Sequence, residues 1–105
     1  MTFRILIDQR AQQDIDELAL YTSAYSDEFA VEQFARLADV LSRDLAESPL
    51  RWSYFVLTGP PYRAYLFRVG RRTQYWIIYT VDEEDRAVTV LRFWNTGRDP
   101  ATLDL

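Results

Sequence analysis

Residues 73–94 read TQYWIIYTVDEEDRAVTVLRFW, two aromatic and β-branched runs, Thr73–Val81 and Ala87–Trp94, on either side of the acidic turn DEEDR. Such runs suit a pleated, half-buried surface, and a short polar break between them predicts an antiparallel hairpin. Because side chains alternate along a strand, Tyr75, Ile77, Tyr79 and Val81 share one side and Gln74, Trp76, Ile78 and Thr80 the other. The first set suits a covering of helices. In the second run Thr89, Leu91 and Phe93 alternate with Val88, Val90, Arg92 and Trp94. Both of those sets are largely apolar, so parity alone assigns neither to a face.

Working upstream, Tyr62–Val69 is a third strand-like run, joined to the hairpin through Gly70-Arg71-Arg72. The segment LRWSYFVLTGPP before it starts as a strand and breaks at Gly59-Pro60-Pro61, which predicts a loop containing an extended stretch. At the N-terminus Thr2–Ile7 alternates like a strand, and Asp8 then offers a capping oxygen to a helix. From Arg10 to about Ala24, Ala11, Ile15, Leu18, Ala19 and Thr22 recur at three- and four-residue steps, the spacing of one helical face. Ser26 or Asp27 caps a second helix carrying Phe34, Leu37, Leu41 and Leu45, which Ser48-Pro49 stops. The order strand, two-helix hairpin, three-stranded antiparallel meander predicts an α+β fold: one twisted sheet with the helices on one face.

The chain has 105 residues, expected to form a single domain spanning 1–105. It has no cysteine and no histidine, so it lacks thiol nucleophiles, thiolate metal sites and the commonest general base. The few glycines are scattered and form no phosphate loop, and no metal or cofactor is expected. The first residues do not resemble a signal peptide and no run of about 18 apolar residues occurs, so a cytoplasmic location without membrane contact is expected. The net charge of −4 argues against strong binding to free nucleic acid, whose phosphates demand cationic partners.

All twelve basic residues are arginine, the side chain suited to forked contacts with carboxylate or phosphate. Arg63, Arg68, Arg71 and Arg72 fall in one hairpin, and with Arg92 and Arg98 they either line a concave anion site or form a solvated surface balanced by the sixteen acids. If the sheet's second face is left uncovered, Trp76, Ile78, Val90 and Trp94 make an apolar patch of the sort that marks a partner site, one that leaves the lone chain poorly soluble or dimeric. Loops covering those side chains are the alternative.

The order of elements and the ending YWIIYTVDEEDRAVTVLRFWNTGRDP resemble the RelE/ParE superfamily of bacterial type II toxins, over nearly the whole chain. The family's tyrosine-arginine-x-x-tyrosine strand stands here as Tyr75-Trp76-Ile77-Ile78-Tyr79. Its histidine-x-x-arginine-aspartate-proline ending stands as Asn95-Thr96-Gly97-Arg98-Asp99-Pro100. The resemblance implies a toxin held inactive by a co-encoded antitoxin protein. RelE-like members cleave messenger RNA on the ribosome, whereas ParE-like members inhibit DNA gyrase by binding. Trp76 replaces the strand arginine, Asn95 replaces the histidine, lysine is absent, and the tail ATLDL has no tyrosine. RNA cleavage needs a proton acceptor and cations at the phosphorane, so these departures point to binding, with reduced ribonuclease activity or a non-toxic module as alternatives. The surviving candidates for chemistry are Arg63 and Arg98. Those for target or partner contact are Arg63, Arg68, Trp76, Ile78, Arg92, Trp94, Asn95 and Arg98. Arg98 is free to clamp an anion or to pair with Asp99.

Overall fold

The computed structural model describes residues 2–105. Strand β1 (Arg4–Ile7) leads into helix α1 (Gln9–Ser23), and helix α2 (Asp27–Asp39) continues through a π-helical turn at Val40–Leu45. Strands β2 (Arg63–Val69), β3 (Thr73–Asp82) and β4 (Ala87–Asn95) follow, and a short 3-10 turn at Pro100–Thr102 ends the fold. The sheet order is β1-β4-β3-β2, with β1 parallel to β4 and the other pairs antiparallel. This is the α+β arrangement that the alternation and helical spacing predict.

Capping fixes both helix starts. The Asp8 carboxylate accepts from the Arg10 N–H at 3.0 Å, and the Ser26 hydroxyl accepts from the Phe29 N–H at 3.0 Å, satisfying donors that a helix leaves free in its first turn. Ala11, Leu18, Leu37 and Leu45 then bury against Ile77, Tyr79, Val88 and Val90 of the sheet. The Tyr79 hydroxyl donates to the Pro49 carbonyl at 2.7 Å, which ties the end of the helical layer to the central strand.

Strand β4 explains why its parity was ambiguous. Its register with β3 runs Ile78 to Arg92 and then Tyr79 to Val90, so Leu91 is an extra residue at a β-bulge. The bulge shifts the phase of the strand. Val88 and Val90 before it, and Phe93 after it, all belong to the helix-side core, while Trp94 belongs to the opposite side.

That opposite side corrects the expectation of an uncovered face. Phe55, Ile78 and Trp94 form a second buried cluster, with Tyr62, Ala64, Trp76, Leu103 and Leu105 packed against it. The 52–62 loop and the C-terminal segment supply the cover. The extended stretch in that loop pairs through one bridge, Tyr54 to Arg63. The Arg10 guanidinium donates to the carbonyls of Asp104 and Leu105 at 2.9 and 3.0 Å, which holds the tail in place. Val90, expected beside Trp94, faces the helices instead. The large apolar side chains left exposed lie elsewhere, among them Leu20 and Val31 on the helices and Val56 in the loop. Among the described residues no helix is long and apolar enough to cross a membrane.

Candidate functional site

The antiparallel meander brings the end of β2, the start of β3 and the end of β4 to one end of the sheet. Arg68 stands opposite Gln74, whose carbonyl accepts from the Thr96 N–H at 3.0 Å. Asn95 stands opposite Tyr75. At the other end lie Asp82, the last residue of β3, and Glu83, Glu84 and Asp85 of the β3–β4 turn. Arg63, at the start of β2, and Arg86, in that turn, stand at this acidic end too. Arg68, Arg71, Arg72 and Arg98 sit at the first end, and among the described residues none of them has a carboxylate within ion-pair distance. All four are exposed to solvent and, among the described residues, not ion-paired.

Arg98 follows the last strand in a turn whose backbone N–H donates to the Asn95 carbonyl at 3.1 Å. Its guanidinium carbon lies 4.7 Å from the centroid of the Trp94 ring, a cation–π contact that fixes the side chain without neutralising it. Asp99 is no partner to it, because the Asp99 carboxylate accepts from the Ala101 N–H at 3.0 Å and caps the following 3-10 turn. Arg98 opens onto a cleft of 240 Å³ walled by Asp14, Glu17, Tyr21, Tyr75 and Asn95. Burial pushes the Tyr75 phenol up, against smaller lowering effects of the Asn95 side chain and Arg98.

Tyr21 is the residue that helical spacing did not single out. Its hydroxyl is hydrogen-bonded to Thr73 at 3.1 Å and to Tyr25 at 3.4 Å. The bond to Thr73, followed by that to Tyr25, holds its pKa below the ordinary tyrosine value. Tyr21 also walls a second cleft of 260 Å³, formed with Tyr25, Phe29, Gly70, Arg71 and Arg72. A polar side chain at the margin of an amphipathic face carries no sequence signal for such a role, since only the docking of α1 against β3 creates it.

Apart from Arg68, the remaining candidates are used within the fold. Arg92 makes a two-pronged pair with Asp14, Nε to Oδ2 at 2.8 Å and Nη2 to Oδ1 at 3.1 Å, and Asp14 also accepts from the Phe93 N–H at 3.0 Å. Its hydrogen bond to Asp14, the largest influence, raises the arginine's pKa further. Arg63 donates to the Trp52 carbonyl at 2.6 Å and lies over the Tyr54 ring at 4.2 Å, so it braces the covering loop, away from Arg98. Ile78 and Trp94 are buried, and Trp76 is half-buried with its ring edge-on to Phe55 at 5.7 Å. The Asn95 side-chain oxygen accepts from the Gly97 N–H at 2.8 Å. Arg68 is exposed, and its carbonyl accepts from Arg36 at 2.8 Å.

The geometry defines a small α+β protein with an arginine- and tyrosine-lined sheet end suited to holding an anionic or hydrogen-bonding partner. Residues 5–100 match the family described as ParE toxin of type II toxin-antitoxin system, parDE, and the chain belongs to that family. It is therefore a type II toxin-antitoxin toxin whose family pairs it with a cognate antitoxin. No curated protein matches the chain at a significant level.

Proposed function

We propose that this toxin acts by binding a target protein, DNA gyrase, through the Arg98 end of its sheet rather than by cutting RNA, and that a co-encoded antitoxin neutralises it in the cytoplasm. The observation that carries the reading is Arg98 itself, fixed on Trp94, open to a cleft and free of a carboxylate partner. The groups around it support binding better than phosphodiester chemistry. Asn95 stands where the family's nuclease members keep a histidine, and its oxygen is taken by the Gly97 N–H. Trp76, in place of a strand arginine, packs on Phe55 and brings no charge to a phosphorane.

A ribosome-dependent ribonuclease is the second reading, favoured by the Tyr21 phenol, whose lowered pKa makes the proton-accepting phenolate form more available than in an ordinary tyrosine. The two readings separate on induction of the gene in a bacterial host. Target binding leads to relaxed plasmid DNA with intact messages, and cleavage leads to cut messages with normal supercoiling. Growth unaffected by induction would sink both and leave a non-toxic module of the same fold.

A further inference from the structure

The cleft beside Arg98's own is built differently. The Tyr21, Tyr25 and Phe29 rings descend from α1 into α2 along one wall, and Arg71 and Arg72 rise from the β2–β3 turn opposite. No carboxylate lines it, whereas Asp14 and Glu17 line the neighbouring cleft. Gly70, at φ +66°, makes the turn that presents the two arginines, a backbone conformation that glycine adopts without strain. A carbon added there would touch the Phe29 ring at 3.6 Å, so the turn is packed down onto the aromatic wall.

We propose that this cleft docks an acidic, leucine- or aromatic-bearing segment of the cognate antitoxin. The inference rests on the toxin reading of the chain and adds to it the place of neutralisation. Charge complementarity selects the occupant. On a chain of net charge −4, an acidic segment is repelled over most of the surface and attracted to Arg71 and Arg72, which stand exposed, without a carboxylate in ion-pair distance among the described residues, in a cleft that no carboxylate lines. The ring geometry favours polypeptide over single-stranded nucleic acid. Tyr21 and Tyr25 are tilted by 53°, and Tyr25 and Phe29 by 54°, with centroids 5.4 and 5.6 Å apart. Successive bases need roughly parallel faces to stack on, while an angled aromatic wall suits branched and aromatic side chains. Because the two clefts share Tyr21, a segment seated here lies against the mouth of the Arg98 cleft and blocks a target from it.

The test uses the purified chain and three fluorescent probes: a peptide alternating glutamate with leucine, its lysine counterpart, and an oligouridylate of the same charge as the first. Anisotropy should show binding of the glutamate peptide alone, weakening as salt rises. The double variant Arg71→Ala/Arg72→Ala should lose about tenfold or more in affinity, since each charge-assisted contact is worth at least a factor of that order. Its melting temperature should match the parent's. Arg71→Lys/Arg72→Lys should retain part of the binding, and Arg43→Ala, in the π-helical turn after α2 and outside the cleft, should bind as the parent does. Failure of the glutamate peptide to bind, unchanged binding by the alanine double variant, or tighter binding of the oligouridylate would each overturn the proposal. Toxicity is scored separately in the host, so a non-toxic chain that still binds the peptide tells against the toxin reading and not against the cleft.

Discussion

Asp14 on α1 holds Arg92 on β4 through two hydrogen bonds and also accepts from the backbone N–H of Phe93, so one carboxylate secures both a side chain and a strand edge. β1 pairs with β4 only as far as Val90, which leaves the Phe93 N–H without a strand partner on that side. A buried edge donor needs such a partner. The Asp14 and Arg92 side chains are only 7% and 12% exposed, so this is an interior pair rather than a solvated one.

Asp14→Ala is expected to destabilise the protein by about 3–5 kcal/mol, the range for removing one partner of a buried ion pair. Arg92→Ala should cost less, because it leaves the Phe93 N–H satisfied. Chemical denaturation of both single variants and the double variant measures the coupling. Additive losses would show that the two residues act independently and contradict this account.

Tyr79 makes a prediction about alkaline pH. Burial pushes its phenol well above the ordinary value of 10.0, with a smaller opposing effect of Arg63. The folded state thus keeps a proton that the unfolded chain releases above pH 10.0, so the contribution is complete below that pH and is lost as pH rises beyond it. Tyr79→Phe should lower stability by about 1–3 kcal/mol at neutral pH, since the Pro49 carbonyl is left unpaired. It should also flatten the alkaline fall, and denaturation midpoints across that range compare the slopes.

Removing Leu103–Leu105 should expose the Ile78 and Trp94 cluster. A fully buried leucine contributes roughly 1.5–3 kcal/mol, and these half-buried ones somewhat less each. The truncated chain should melt lower, bind a hydrophobic dye and self-associate, as light scattering would report. A truncation with unaltered melting and scattering would show that the tail is not the cover.

The sequence pattern revealed the element order because alternation and helical spacing are local properties. Asp8 and Ser26 were legible as caps for the same reason. The bulge at Leu91 was not legible, because an extra residue in a run that is apolar on both sides leaves the pattern unchanged. Nor was the cover over Ile78 and Trp94, which depends on where the 52–62 loop and the tail return in space. For the site, Arg98 was legible through the family's ending. Arg92 looked equivalent to it until Asp14, 78 residues away, was found against it. Tyr21 gains its place only through tertiary packing.

The central claim is that the toxin works by holding gyrase through Arg98. Its most direct test adds purified wild-type chain and Arg98→Ala to a gyrase supercoiling reaction and, in parallel, to a translating ribosome extract. The account predicts that the wild type inhibits supercoiling and leaves messages intact. It predicts that Arg98→Ala loses about tenfold or more in potency, as expected for a charge-assisted contact of about 1.5–3 kcal/mol, while melting with the parent. Messages cut in the translating extract with supercoiling untouched, or an Arg98→Ala variant as potent as the wild type, would contradict it.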